Sequence, residues 1–508
     1  VATDYKIIKK NESYVKIICD RSMAQELSDF FTFYVPGFQF TPAFRNKIWD
    51  GKIRLFDLRT FELYHGLLPY VETFCKERSY TIEYGDPRPD LTDDYPVYHA
   101  DKFIEELDIH SRGKPIGVRE YQKAAFVYSM RNKRALLLSP TASGKSLIIY
   151  LIIRQLLKYK CEKGLIVVPT TSLVEQLYSD FEDYSSANGW SAEENIHKIY
   201  QGKEKTSDMP LTITTWQSVY QQDAKYFEEF DFIIGDEAHL FKANSLTTIL
   251  KSAINAQYRI GTTGTLDGTK THKLVLEGLF GPVMQVTTTK ELMDNKEVAD
   301  FKIKCLVLKH DDEICKLMKG KTYQEEIEYL ILNENRNKFI KNLTVSMKGN
   351  TLLLYQYVDK HGKILYNMIS NTKNLGDRKV FFVYGKTDTD TREEIRRITE
   401  TESDAIIVAS FGTFSTGINI RNLHNVIFAS PSKSRVRNLQ SIGRSLRLGE
   451  NKTEATLYDI ADDLRYKDRM NFTLQHFVER TKIYNEQQFI YKLYKIGLKN
   501  GANQNTQT

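Results

Sequence analysis

Between residues 118 and 281 short apolar runs alternate with longer helical patterns, and the runs at 135–138, 165–168 and 232–234 are apolar on consecutive positions. A strand of that kind is buried on both faces, which demands a parallel sheet with helices packed on each side. The segment after Lys145, which includes LIIYLIIRQLL, is apolar almost all round and must be a deeply packed helix. After a charged, helix-rich connection from roughly 287 to 342 the alternation returns, with runs at 351–354, 380–384, 405–409, 425–429 and 455–458. Two successive α/β units of similar size predict two lobes with a cleft between them.

A chain of 508 residues holding two such lobes leaves room for further domains. The polar stretch GDPRPDLTDDYP at 85–96 is a linker. It places a small α+β domain over 1–95 and the first lobe over 96–286; the connection and second lobe follow over 287–460, then a short helical, basic extension over 461–508. No apolar run approaches the roughly 20 residues that span a bilayer, and the N-terminus lacks the positive-then-apolar layout of a signal peptide. Cys19, Cys75, Cys161, Cys305 and Cys315 are scattered without a C-x-x-C pair, which argues against a disulfide framework or zinc site and for a reducing compartment. The expectation is a cytoplasmic protein with no membrane partner. Net charge is +6; from Leu464 onward eight bases (Arg465, Lys467, Arg469, Arg480, Lys482, Lys492, Lys495, Lys499) face three acids. That fits a polyanion partner, a solvated basic helix face being the alternative.

The sequence SPTASGKS at 139–146 stands where a buried strand ends and a helix begins. A phosphate needs convergent backbone N–H donors, a cation and a positive helix end, and this junction supplies all three. The loop through Thr141, Ser143 and Gly144 would cradle ATP, Lys145 would reach its β- and γ-phosphates, and the Ser146 hydroxyl would coordinate Mg²⁺. Ser139 replaces the first glycine of the usual pattern, and an ordinary strand-to-helix turn is the competing reading. FIIGDEAH at 232–239 then sets two carboxylates at a strand's C-terminal end, where ligands of parallel sheets collect. Asp236 is suited to hold Mg²⁺ and Glu237 to orient and deprotonate water. In REYQ at 119–122, Arg119 and Gln122 precede the loop, and the Gln122 side chain offers the donor and acceptor that an adenine edge requires. QSIGRSLR at 440–447 places Arg444 and Arg447 one helical turn apart, able to meet charge developing on the γ-phosphoryl group.

These motifs, with GTTGT at 261–265, follow the order found in superfamily 2 helicases, which the chain resembles. The resemblance implies two RecA-like lobes, with Lys145, Asp236, Glu237, Arg444 and Arg447 catalytic and the arginine-bearing helix facing the lysine-bearing loop. It also implies that His239, Thr263, Thr265 and Gln440 couple hydrolysis to lobe movement. VVPTTSL at 167–173, TTWQS at 214–218 and ASFGTFSTGINI at 409–420 are similar to the motifs that grip nucleic-acid backbone. By that likeness Thr170, Thr215, Trp216, Thr413 and Thr416 would contact sugar-phosphate and Gly417 would adjoin ATP. Asn419 stands where members often carry Asp, which leaves its role open. Over nearly its whole length the chain resembles the UvsW-type helicases of T-even phages, themselves similar to RecG-type fork-remodelling enzymes; FRNKIWDGKIRLFD at 44–57, GKTYQEEI at 320–327 and STGINIRNLH at 415–424 carry the likeness. It implies unwinding of branched DNA (forks, Holliday junctions, D-loops and R-loops) in recombination, repair and replication restart. The expected partners are branched DNA, RNA–DNA hybrids, and single-strand-binding or recombination proteins, met by a monomer.

Between Phe38 and Arg59 five bases are interleaved with Phe38, Phe40, Phe44, Trp49 and Phe56. Bases bind phosphate and aromatics stack on splayed nucleobases. Arg45, Lys47, Lys52 and Arg54 are the expected DNA contacts, whereas most of the aromatics are expected to build a core. Two rivals share the motor. An RNA helicase of the DEAH type would carry several domains after the second lobe, where little sequence remains. The motor of a nuclease or restriction complex would need its cleavage from a partner.

Overall fold

The computed structural model describes residues 3–86, 93–200, 204–240, 244–373, 375–417, 420, 422–430, 434, 442–443, 452 and 454–498. It divides into two compact units, Val1–Thr287 and Thr288–Thr508. The first unit opens with six short strands: β1 (Tyr5–Lys9), β2 (Tyr14–Ile18), β3 (Thr32–Tyr34), β4 (Lys52–Arg54), β5 (Glu62–Tyr64) and β6 (Ile82–Tyr84). A mixed sheet runs β5-β2-β1-β6, with β6 parallel to β1 and the other pairs antiparallel. Tyr5, Ile7, Val15 and Ile17 are fully buried, in one core with Leu27 and Phe74 of the helices Arg21–Phe30 and Leu68–Glu77. Strands β3 and β4 form a separate antiparallel ribbon.

After a small hairpin, β7 (His110–Ser111) and β8 (Lys114–Pro115), the first lobe begins. Its strands are β9 (Arg134–Leu138), β10 (Gly164–Val168), β11 (Ile196–Ile199), β12 (Leu211–Thr215), β13 (Phe232–Asp236), β14 (Tyr258–Thr263) and β15 (Val283–Gln285). Among the described residues they form one sheet, β11-β12-β10-β13-β14-β9-β15, with every pair parallel. The consecutive apolar runs fall on β9, β10 and β13. The helix Lys145–Tyr159 is buried along nearly its whole length, as its all-round apolarity requires.

The N-terminal sheet is tied to this lobe by buried polar contacts. Arg134 Nη2 donates to Glu12 Oε2 at 2.8 Å, Arg259 Nη2 to Ser13 Oγ at 2.8 Å, and Tyr70 OH to Glu277 Oε2 at 2.6 Å. Backbones also meet: a Cβ on Gly66 would lie 2.0 Å from the Glu277 carbonyl oxygen, so only glycine fits there.

The second lobe contains β16 (Asp300–Lys309), β17 (Thr351–Tyr355), β18 (Val380–Val383), β19 (Ile406–Ser410), β20 (Asn425–Phe428), β21 (Glu454–Asp463) and β22 (Ile490–Gly497). They pair in the order β18-β19-β17-β20-β21-β16-β22, again all parallel. Two of these strands differ from the reading of the sequence. The connection holds β16, whose first half alternates exposed and buried residues within a charged stretch. The C-terminal extension has its helix, Phe472–Glu486, but continues into β22, an edge strand mostly exposed and therefore lacking an apolar signature. Its basic character is also reduced. Arg480 is fully buried, donating to both carboxylate oxygens of Asp459, and Arg465 pairs with Asp463 at 2.6 Å. No helix among the described residues is long and apolar enough to cross a membrane, and all five cysteines are free thiols.

Candidate nucleotide and nucleic-acid sites

The phosphate loop follows β9. Ala142 and Gly144 both take left-handed backbone, φ +72 and +78, and the chain then enters the helix at Lys145. The left-handed φ favours glycine at 144, and a Cβ there would also displace the Gln122 amide, whose Nε2 would lie 2.4 Å away. Inside the loop the Ser139 and Ser143 hydroxyls lie 2.5 Å apart and Ser143 Oγ donates to Pro140 O. From below, Gln122 Nε2 donates to Ser143 O at 2.9 Å while its Oε1 accepts from Arg119 N at 3.0 Å. The amide expected to read adenine thus also braces the loop, and its second N–H remains for a ligand. Arg119 Nη1 donates to Tyr121 OH, which donates to Ser143 O. A Cβ on Gly264 would lie within 4 Å of Ser139 O, Thr141 N and Lys145 Nζ, so the GTTGT segment sits against the loop.

Strand β13 delivers the two carboxylates. Asp236 is opposite Thr262 in register, and its Oδ1 accepts from Thr262 Oγ1 at 2.7 Å and from Glu237 N at 2.9 Å. Both hydrogen bonds fall on Oδ1, so Oδ2 is the oxygen available to a hard cation. Glu237 turns away with φ +51, a strained conformation for a non-glycine residue, and Lys145 Nζ lies 3.1 Å from its Oε1. Burial raises the Asp236 carboxyl, Lys145 lowers it and the Glu237 charge adds to the rise; the net shift is upward. Burial also acts to raise Glu237, but Lys145 and His239 outweigh it and hold this carboxyl well below the usual range.

His239 Nδ1 lies 2.9 Å from Thr263 Oγ1 and 3.3 Å from Glu237 Oε2. Because the Thr263 hydroxyl donates to Thr265 O at 2.9 Å, it must accept from the imidazole, which assigns the proton to Nδ1. The residues expected to couple hydrolysis to movement, His239, Thr263 and Thr265, therefore form one hydrogen-bonded group beside Glu237. Four further participants are not singled out by the sequence: Thr262 and Tyr121, which lie inside the GTTGT and REYQ motifs, and two outside any motif, Tyr184, whose hydroxyl is 3.0 Å from Ser146 Oγ, and His272. The last is held between His239 O, 2.8 Å from Nε2, and Asp267 Oδ2, 2.9 Å from Nδ1.

Hard oxygen donors suit Mg²⁺. The donor set fits: Asp236 has a free oxygen, and Ser146 can donate to Tyr184 while a lone pair faces a cation. Gln440, Arg444, Arg447 and Asn419 lie outside the described residues. Thr416 and Gly417 fall in the helix Phe411–Gly417, whose last side chains are not described.

The residues expected to meet nucleic acid are placed unevenly. Thr170 caps the helix Thr171–Tyr184 through its hydroxyl. Thr215 and Thr413 are buried, their hydroxyls engaged with Ser218 and Ser410, and Trp216 packs on the core. Exposed beside them is Gln217, whose Nε2 reaches Pro169 O at 3.5 Å and links two of the motifs. On the β3–β4 ribbon, Arg45, Lys47 and Arg54 are exposed and Lys52 lies 5.0 Å from the Tyr34 ring centroid, while Arg54 pairs with Asp50. Phe56 is core and Trp49 half-buried, its indole N–H bonded to Lys52 O. Phe40 and Ile48 are 75% and 79% exposed, too much for a core role.

Three family models match: type III restriction enzyme, res subunit, over 115–268; DNA helicase UvsW, N-terminal, over 4–85; and the helicase conserved C-terminal domain over 334–449. The ATP-dependent DNA helicase UvsW of Enterobacteria phage T4 is 35% identical, covering 97% of this chain and 100% of the relative. The T4 UvsW crystal structure aligns with a TM-score of 0.52 at 34% identity over 98% of this chain and 100% of that one. The DNA 3'-5' translocase XPB2 of Sulfurisphaera tokodaii is 24% identical, over 68% of this chain and 81% of its own. A type ISP restriction-modification enzyme, LlaBIII, bound to DNA, is alike in fold, with a TM-score of 0.56 at 17% identity over 76% of this chain and 32% of its own. With two parallel-sheet RecA-like lobes in tandem, a phosphate loop against a DEAH motif, and this identity along almost all its length, the chain belongs to the UvsW family of superfamily 2 ATP-dependent DNA helicases.

Proposed function

We propose that this helicase acts on branched DNA (forks, Holliday junctions, D-loops and R-loops) in recombination, repair and replication restart in the cytoplasm. The observation that carries the reading is the β3–β4 ribbon, a basic element tipped by exposed Phe40 and Ile48 on a domain joined to the motor lobe by buried contacts. A basic, apolar-tipped element suits a junction, where phosphates and unstacked bases lie side by side. The energetics fit a compact motor: opening a base pair costs on the order of 1.4 kcal/mol, but branch migration makes about as many pairs as it breaks.

In the ATP site, Lys145 would draw the β- and γ-phosphates onto the helix N-terminus with the Thr141–Gly144 backbone, Gln122 and Arg119 would bound the base, and Asp236 and Ser146 would hold Mg²⁺. Mg²⁺ there would neutralise phosphate charge. Glu237, kept anionic, would orient water and accept its proton, and Arg444 and Arg447 would meet the charge on the γ-phosphoryl group. His239, Thr263 and Thr265, with Gln440, would carry the change at Glu237 to the DNA motifs of Thr170, Thr215, Trp216, Thr413 and Thr416.

The test compares DNA-stimulated ATP hydrolysis and unwinding on single strands, forks, four-way junctions, R-loops and RNA. Activity should be greatest on branched DNA. Reversing Arg45, Lys47, Lys52 and Arg54 to Glu should remove that preference and leave hydrolysis without DNA intact; a variant that keeps full preference for junctions refutes the reading.

A further inference from the structure

In the second lobe, β16 and β21 are neighbours in register over their whole length, and the loops that leave their C-terminal ends fold against each other. After β16 come the helix Asp312–Met318 and the segment Lys319, Gly320, Lys321, Thr322. After β21 comes a tight turn in which Tyr466 bridges Arg469 and Lys467 takes φ +56. Between them is a cleft lined by Lys319, Lys321, Tyr466, Arg469 and Phe472. The ammonium groups of Lys319 and Lys467 lie 5.4 and 5.9 Å from the same Tyr466 ring centroid. Among the described residues, Lys319, Lys467 and Arg469 form no salt bridge, whereas neighbouring Lys321 and Arg465 pair with Glu325 and Asp463. The acid in the lining, Glu326, is buried and already spent: it accepts from Asn471 Nδ2, from the backbone N–H of Phe472 and Thr473, and from the Thr473 hydroxyl. Two like charges share one aromatic ring and a third, Arg469, lines the adjoining cleft; against them stands the exposed carboxylate of Asp468, so the rim keeps a net positive charge that an anion would offset.

The segment also imitates a phosphate loop. Gly320, Lys321 and Thr322 repeat the Gly144, Lys145, Ser146 order, and both glycines are left-handed, φ +84 and +78. Yet the imitation is closed. Glu325 accepts from Thr322 N at 2.8 Å and from its hydroxyl at 2.9 Å, and takes Lys321 at 2.9 Å, so the helix start is capped by its own side chain. A compact polyphosphate has no free amide cradle here. The unpaired cations stand instead along the rim, an arrangement matched to an extended phosphodiester chain.

We infer that the rim of Lys319, Lys467 and Arg469 around Tyr466 is a second DNA-backbone contact, on the second lobe and apart from the helicase motifs. It rests on the DNA-helicase assignment and not on the preference for branches, because phosphate contacts carry no sequence or junction information. Binding would release counterions from each neutralised phosphate.

The experiment measures affinity of the full chain for fluorescein-labelled single-stranded and duplex DNA by anisotropy over a KCl series. For Lys319→Glu/Lys467→Glu/Arg469→Glu, the slope of log affinity against log salt should flatten by about 2–3, with affinity reduced tens-fold or more at low salt. The Gln triple variant should show the same flattening with a smaller loss of affinity, and it serves if charge reversal impairs folding. Hydrolysis of ATP without DNA should be unchanged in both. The ratio of affinities for forked and linear DNA should also persist, which separates this contact from the ribbon: loss of that ratio with an unaltered slope overturns the inference. An unaltered slope in both variants overturns it too, as does a defect in binding mononucleotide with DNA affinity intact, which would make the cleft a nucleotide site.

Discussion

Numbered from the first strand of each lobe, both sheets run 3-4-2-5-6-1-7, but their C-terminal edges hold opposite chemistry. In the first lobe, strands 1, 5 and 6 end at the phosphate loop, at Asp236 and Glu237, and at Thr263. Charges there are only partly matched, with Lys145 and Glu237 about one-fifth exposed. In the second lobe the same three strands lead to His310, Ala429 and Asp462, and Arg336 seals them together. Its Nε lies 3.0 Å from both Asp462 oxygens and its Nη2 2.9 Å from Ala429 O, while His310 Nε2 lies 3.1 Å from Asp462 Oδ1. Arg336 and Asp462 are 2% and 1% exposed. Topology therefore supplies an edge where ligands can gather, and side-chain volume and charge pairing decide whether that edge is open.

The largest expected effect breaks the closed edge. Arg336→Ala would strand a buried carboxylate and cost about 3–5 kcal/mol, whereas Arg336→Met with Asp462→Leu should lose far less. Trp49, Trp190 and Trp216, the three tryptophans of the chain, all lie in residues 1–287, so their fluorescence follows the first unit alone. In urea, far-UV circular dichroism should gain an early transition in Arg336→Ala that tryptophan fluorescence does not follow. A common shift in both signals would mean that the two edges are not independent.

The mirror change opens no cavity. Lys145→Ala should reduce DNA-stimulated ATP hydrolysis by on the order of 10²–10³-fold, the scale for losing one preorganised charge-stabilising group. Stability should move by less than about 1 kcal/mol, since the Lys145–Glu237 pair is partly solvated. Hydrolysis that survives the change sinks the assignment of the first edge as the catalytic one.

The open edge was more legible in the sequence than the closed one, and the reason is chemical. A phosphate site must present particular groups at fixed spacing along the chain, so SPTASGKS, DEAH and GTTGT are local patterns. The closed edge is built from Arg336, His310, Asp462 and Ala429, which lie far apart in sequence and carry no shared pattern. Strands buried on both faces were equally plain, while β16 and β22 were hidden by alternation and edge exposure. The roles of Thr262, Tyr121, Tyr184 and His272 come from cross-strand register and packing, which residue spacing does not encode. The ribbon showed its bases and aromatics, but only the fold separates Phe56, which is core, from Phe40, which is bare.

Acid should separate the two edges by a smaller margin. Burial pushes the Asp462 carboxyl up, but the Arg336 charge and the hydrogen bonds from His310 and Arg336 outweigh it and bring the value down to about 2, from an ordinary 3.8. A depressed carboxyl contributes stability that is present above the unfolded value and lost as pH falls through the folded one. The second unit should therefore weaken by about 2 kcal/mol between pH 4 and pH 2. In the first unit the adjacent carboxyls oppose each other. Asp236, raised, costs stability while charged and releases that cost as it takes up its proton, whereas Glu237, depressed, gives up its contribution as pH falls from its unfolded value towards its folded one. Over that range the urea midpoint followed by circular dichroism should fall less in Arg336→Met/Asp462→Leu than in the unaltered chain, while the midpoint followed by tryptophan fluorescence, which reports the unit holding Glu237 and Asp267, should fall equally in both. A circular dichroism midpoint that falls as far in that double variant as in the unaltered chain would place the acid sensitivity somewhere other than the sealed edge.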